Sequence, residues 1–357
     1  MTTPPRRRFD RLVPLAALLA AVAVAPAAPA QDGPEGDLAG PLAIDEAAFI
    51  EYLAEAPLAT ATAPPASFED QLVDLVNQDR QNCANTSFFC VANAGSCGFT
   101  VCGSPLPPLK KAQLLSVASD GHSSNMGTRN FHMHCDPDTG TLPGNRALAV
   151  GWPTSNVGEN IAAGYSSPAA VMSTSNGWMS DCGHCANILN TSSREIGLGY
   201  SFDGSDTNTV RQSSTGLCPV QTSNNGPYGH YWTQDFSGRT SFGVFPLVIE
   251  REKYLVNTTS VAMFLYQPGG SSPQMRFSND GVSWSSPVAF NANPTTTLTA
   301  GDGVKTVYSE VTTSSGTFRA CDRIWLDNTG TVSDVIFADS FECGGVDLWD
   351  LPIVTSS

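Results

Sequence analysis

Four short segments of this 357-residue chain set histidine or acid among small residues, where a side chain can meet a ligand. They are Gly121-His122-Ser123, Phe131-His132-Met133-His134, Gly158-Glu159-Asn160 and Gly183-His184. Imidazole is the natural group for metal ligation and for moving protons near neutral pH. The last segment lies inside Cys182-Gly183-His184-Cys185, the spacing with which thiol–disulfide exchange centres pair an attacking thiolate with a resolving one. Other nucleophiles are scarce. The chain has no G-x-S-x-G elbow, and Ser123 and Ser124 follow His122 without an activating base. Asp136-Pro137-Asp138-Thr139-Gly140 has carboxylates at calcium-loop spacing but no closing glutamate, so it reads as a plain turn. His122 shares one helical stripe with Ala118 and Met126 and reads as a packed histidine rather than a ligand.

Helices and strands must carry these groups. Ser67 and Asp70 have capping-box spacing, and Phe68, Leu72, Leu75 and Val76 follow helical periodicity. Pro107-Pro108-Leu109 leads into a second helix bearing Leu115, Ala118, His122, Met126 and Arg129. Trp178 to Asp181 reads as the end of a further helix, which would set the Cys-Gly-His-Cys segment after it. Glu195 to Phe202 alternates like a strand, and Tyr231 to Phe236 is another, so 157–236 is an α/β region with a small, mostly antiparallel sheet. After Phe242 helical periodicity stops. Val261, Met263 and Leu265 alternate, and Asp280-Gly281 and Asp302-Gly303 mark turns, giving an all-β sandwich over 247–335.

Residues 1–30 have the basic start, apolar run and small-residue cut site of an export signal, and 31–66 form a flexible leader. The apolar run is too short to cross a bilayer, and no later segment is apolar enough. Without residues 1–30 the chain keeps 14 basic and 32 acidic residues, a net charge of −18 that argues against nucleic acid as a partner. An exported chain with ten cysteines is expected to hold disulfides. Eight precede residue 220 and two follow 320, so each half can pair internally, and the two halves are expected to fold separately. The remaining 336–357 form a C-terminal tail.

The motif order Pro-Pro-Leu, A-x-x-GHSSNM, NF-x-x-H, GENIAAG, GH-x-ANIL, EIGLGY and YWTQDF resembles the CAP superfamily of cysteine-rich secretory, antigen 5 and pathogenesis-related proteins, in its bacterial secreted branch. The likeness covers about 67–242. It implies an α+β fold, an α-β-α sandwich, followed here by the β-sandwich, which is similar to immunoglobulin-like modules of secreted bacterial proteins. It also implies a cleft of His134, Glu159, Asp181 and His184, with Asp181 at a position that bacterial relatives often leave without an acid. Two neutral imidazoles and a carboxylate, His134, His184 and Glu159, suit zinc or another divalent cation with an open position for water.

The function this implies is ligand binding by a secreted, extracellular or periplasmic protein, without catalysis of its own. The ligand would be a metal, a lipid, another small molecule or an extracellular partner. The alternatives are a metal-assisted hydrolase built on the same His/Glu cleft and a thiol oxidoreductase at Cys182/Cys185. If His134 and His184 line one cleft, Cys135 comes near Cys182 and Cys185. A structural bridge from Cys135 to one of these is therefore expected, with the other reaching Cys218.

Overall fold

In the computed structural model, residues 67–207, 216, 218 and 226–329 are described. The expected export signal, leader and C-terminal tail lie outside them. Helix α1 (Phe68–Gln81) starts at the expected capping box: Ser67 Oγ accepts the Asp70 amide and the Asp70 carboxylate accepts the Ser67 amide, both at 3.1 Å. Two short helices follow, α2 (Phe89–Ala92) and α3 (Ala94–Cys97). Strand β1 (Lys110–Lys111) then leads into α4 (Gln113–Thr128). Next come α5 (Pro143–Ala149), β2 (Gly158–Ala163), α6 (Pro168–Val171), α7 (Cys182–Ile188), β3 (Glu195–Phe202) and β4 (His230–Ser237).

These strands form one sheet in the order β1-β3-β4-β2, antiparallel except for the β1–β3 pair. Alternation along the strands separates two faces. Ile196, Leu198, Trp232 and Phe236 meet α1 and α7 in the larger core. The opposite face takes α4, and it does so closely. A Cβ on Gly197 or Gly199 would fall 2.3 Å from the backbone of Leu115 or Ser119. Only glycine lets the helix approach to this distance. The result is the α-β-α sandwich that the motif order implies.

The second half is β-rich. A three-stranded sheet, β10-β7-β5, built from β5 (Leu247–Ile249), β7 (Ser260–Leu265) and β10 (Thr295–Thr297), shares one apolar core with a five-stranded sheet. That sheet has the order β6-β12-β11-β8-β9, from β6 (Leu255–Val256), β8 (Gln274–Ser278), β9 (Val288–Ala289), β11 (Gly303–Thr313) and β12 (Gly316–Leu326). Leu265, Met263 and Val261 face Val307, Val311 and Ile324 across it. Among the described residues no helix is long and apolar enough to cross a membrane.

Four disulfides are described: Cys83–Cys102, Cys90–Cys185, Cys97–Cys182 and Cys135–Cys218. Cys321 is disulfide-bonded as well. The pairing corrects the expected bridge from Cys135 to Cys182 or Cys185. The reason is spatial: α2 packs against α7, so the cysteine-rich loop 83–102 supplies both partners of the Cys-Gly-His-Cys segment. The segment's placement also differs from expectation. It opens helix α7 rather than following a helix, with Trp178–Ser180 forming only a 3-10 turn before it.

Candidate functional site at the edge of the sheet

Strand β2 is an edge of the sheet, and the candidate residues gather around it. Successive residues of a strand point to opposite faces, so Glu159 and Asn160 look in opposite directions. Glu159 faces the α4 side. There its Oε1 accepts the His134 Nδ1–H at 2.7 Å, and its Oε2 is bound by the Arg146 guanidinium from α5. Arg146 also donates to the His134 carbonyl at 2.9 Å, so a single guanidinium positions both members of the pair. Asn160 faces the other side. Its amide donates to the His184 carbonyl at 3.2 Å and to Gln234 Oε1 at 3.0 Å, and its Oδ1 accepts from Asn187 at 2.9 Å. His184 is held by Asp181, which caps α7: Oδ1 accepts the His184 amide at 3.0 Å and Oδ2 the His184 Nδ1–H. Trp178, fully buried, donates its indole N–H to the Ile161 carbonyl at 3.1 Å and ties this wall to β2.

His132 lies within electrostatic reach of both His134 and His184. Burial pushes its imidazole down to about 4, and the neighbouring His134 and His184 push in the same direction. His122 is packed, as its stripe suggests. Burial moves it down to about 4 against the pull of Glu159, and its Nε2–H donates to the Met133 carbonyl at 3.1 Å.

Behind Glu159 stands a second acid that the motif order does not single out. Asp235 on β4 is paired with Glu159 in register, so both carboxyls share one face. It is fully buried and accepts Ser119 Oγ–H at 2.8 Å. Burial raises the Asp235 carboxyl well above the ordinary carboxylate range, and the Glu159 charge adds to this. Burial would raise Glu159 too. The hydrogen bond from His134 and the charges of His122 and Arg146 outweigh it and hold Glu159 below its usual value. The two shifts run in opposite directions, favouring the proton on Asp235 and the charge on Glu159.

The four sequence-derived residues thus resolve into two pairs, His134–Glu159 and Asp181–His184, on opposite sides of one strand. Among the described residues no group of three or more His, Cys, Asp or Glu is arranged to hold a metal ion. Both Glu159 oxygens are engaged, and Glu159 faces away from the His184 wall. The described residues therefore do not fit the set His134, His184 and Glu159 around one cation. The Asp136–Gly140 run is a plain turn: Asp136 Oδ1 accepts the Asp138 and Thr139 amides, and Arg129 binds both Asp136 and Asp138. The serines are committed as well. Ser123 Oγ, fully buried, bonds the Gly199 carbonyl at 3.1 Å and Thr233 Oγ1 at 2.8 Å.

A mixed four-stranded sheet between helices, with paired histidines and acids at its edge, is the class of domain that the motif order implies. The family comparison agrees. Residues 73–236 match the CAP family, the cysteine-rich secretory protein family, and this part of the chain is a CAP domain of the bacterial type. The "Uncharacterized protein YkwD" of Bacillus subtilis (strain 168) is 30% identical over 149 residues, 41% of this chain and 48% of that protein. A solved extracellular protein containing a SCP domain from Bacillus anthracis str. Ames is 22% identical, with a TM-score of 0.26, over 49% of this chain and 44% of that one. The chain spans about half the length of these relatives.

Proposed function

We propose that this is a secreted CAP-domain protein that binds a ligand in the cleft at the edge of β2, without catalysis of its own, and that the β-sandwich is an accessory module. The observation that carries this reading is that the groups able to do chemistry are already held. Glu159 is clamped between Arg146 and His134, Ser119 and Ser123 are bound inside the core, and Cys182 and Cys185 are each tied to a cysteine of another segment. A cleft of mutually satisfied polar groups recognises a ligand more readily than it activates a water. The ligand is a small molecule or lipid. If it is instead a divalent cation such as zinc, its donors are the imidazoles of His134 and His184, since Glu159 is engaged elsewhere.

The test is turnover. A broad peptide and ester screen of the purified full chain, with and without chelator, is expected to show none. Chelator-sensitive hydrolysis that falls in Glu159→Gln and His134→Ala would replace this reading with the metal-assisted hydrolase.

A further inference from the structure

Away from the cleft, the CAP sheet and the β-sandwich meet at a buried charge cluster. Lys110 opens β1, Asp322 lies on β12, and Glu252 ends the 3-10 turn Glu250–Glu252 between the two regions. Asp322 Oδ1 accepts from Lys110 Nζ. Glu252 Oε1 stands 3.2 Å from the same nitrogen, an ionic contact without hydrogen-bond alignment. The side chains of Lys110, Glu252 and Asp322 are 13%, 9% and 3% exposed. The neighbouring Lys111 is occupied by Asp70 at 2.8 Å, so two carboxylates share the Lys110 ammonium.

The backbone holds this arrangement firmly. Glu250, Arg251 and Glu252 all have left-handed φ, at 45°, 63° and 65°, a conformation that non-glycine residues adopt only when their surroundings impose it. Asn77 imposes it from α1, donating to the Arg251 carbonyl at 2.9 Å while gripping both the amide and the carbonyl of Leu109, next to Lys110. Asp322 is fixed in turn: Oδ2 accepts the Ile249 amide at 2.5 Å and Oδ1 the Arg323 amide at 2.7 Å.

An amine, a carboxyl and a second carboxyl able to carry a proton, aligned and shielded from water, are the components of amide formation. We propose that Lys110 and Asp322 form an intramolecular amide bond, with Glu252 as the proton carrier, so that the two regions become one covalent unit. The ion pair first neutralises itself, Nζ passing one proton to Asp322 Oδ1. The free amine then bonds to the Asp322 carboxyl carbon. Glu252 gives its proton to Oδ1, which leaves as water, and recovers one from the nitrogen. One C–N bond forms, one C–O bond breaks, one water departs and Glu252 ends as it began. The Ile249 amide already donates to Oδ2, the oxygen that carries negative charge in the tetrahedral intermediate. Glu252 is suited to its part, since burial, with the Asp322 charge adding and Lys110 opposing, pushes it up to about 8. Fixed proximity supplies the rest of the driving force, because the reacting groups need not be gathered from solution.

The experiment is peptide mapping of the full chain by mass spectrometry after complete reduction and denaturation. The peptide containing Lys110 is expected joined to that containing Asp322, one water lighter than the two together. Lys110→Arg and Glu252→Gln are expected to give the two peptides separately. Wild-type chain that yields both peptides unlinked overturns the proposal, and this reading does not depend on how the variants fold.

Discussion

The two sides of strand β2 hold their histidines in opposite ways. On the α4 side, Glu159 is 1% exposed, rooted in the sheet and locked by Arg146. On the α7 side, Asp181 is 47% exposed, a helix cap whose position depends on a short helix stapled by Cys90–Cys185 and Cys97–Cys182. The first side is held by charge, the second by covalent links. A single strand can separate them because its side chains alternate. The difference shows that a site whose members look equivalent in sequence can have very unequal foundations.

The largest effect is expected at Glu159. Glu159→Ala leaves the nearly buried Arg146 guanidinium without its partner, and breaking a buried pair costs about 3–5 kcal/mol. Urea unfolding would measure it, and a loss under about 1 kcal/mol would erase the contrast between the walls. Removing the staple of the other wall, Cys90→Ala with Cys185→Ala, should cost about 2–4 kcal/mol, the usual range for a native disulfide. Asp181→Ala should cost only about 1 kcal/mol, a cap's worth. Equal losses for Asp181→Ala and Glu159→Ala would show that the walls are built alike.

The last effect is smallest in acid and grows with pH. The folded-state pKa of Asp235 is raised, so its contribution is fully present below the unfolded value of about 3.9 and is lost as pH rises toward the folded value. Asp235→Asn keeps the shape and removes this loss, so its stability relative to wild type should climb as pH rises above about 4. A difference that stays flat with pH would mean that Asp235 is not the proton-bearing member of the pair.

Much of this arrangement was legible in the residues. The capping box at Ser67 and Asp70, the alternation of Glu195 to Phe202 and the shift to all-β after Phe242 are local signals, and the structure follows them. His134, Glu159, Asp181 and His184 were legible through motif order, and each lies beside β2. Pairwise geometry was not legible. That Glu159 and His184 fall on opposite faces depends on which strand is the edge, and that Cys182 meets Cys97 depends on how α2 packs. Asp235 did carry a signal, as an acid within the apolar run Tyr231 to Phe236, but only the register of β4 against β2 places it opposite Glu159. Arg146 stands in a short helix with no pattern announcing its partner.

The proposed ligand site is expected to depend on both sides of β2, and zinc is the simplest probe of that dependence. Titrate zinc by calorimetry into wild type, His134→Ala, His184→Ala and the double variant. Zinc that enters this site is predicted to bind in one saturable event, weakened by either single change and absent when both are made. Equal affinity in wild type and the double variant would contradict a site shared between these histidines.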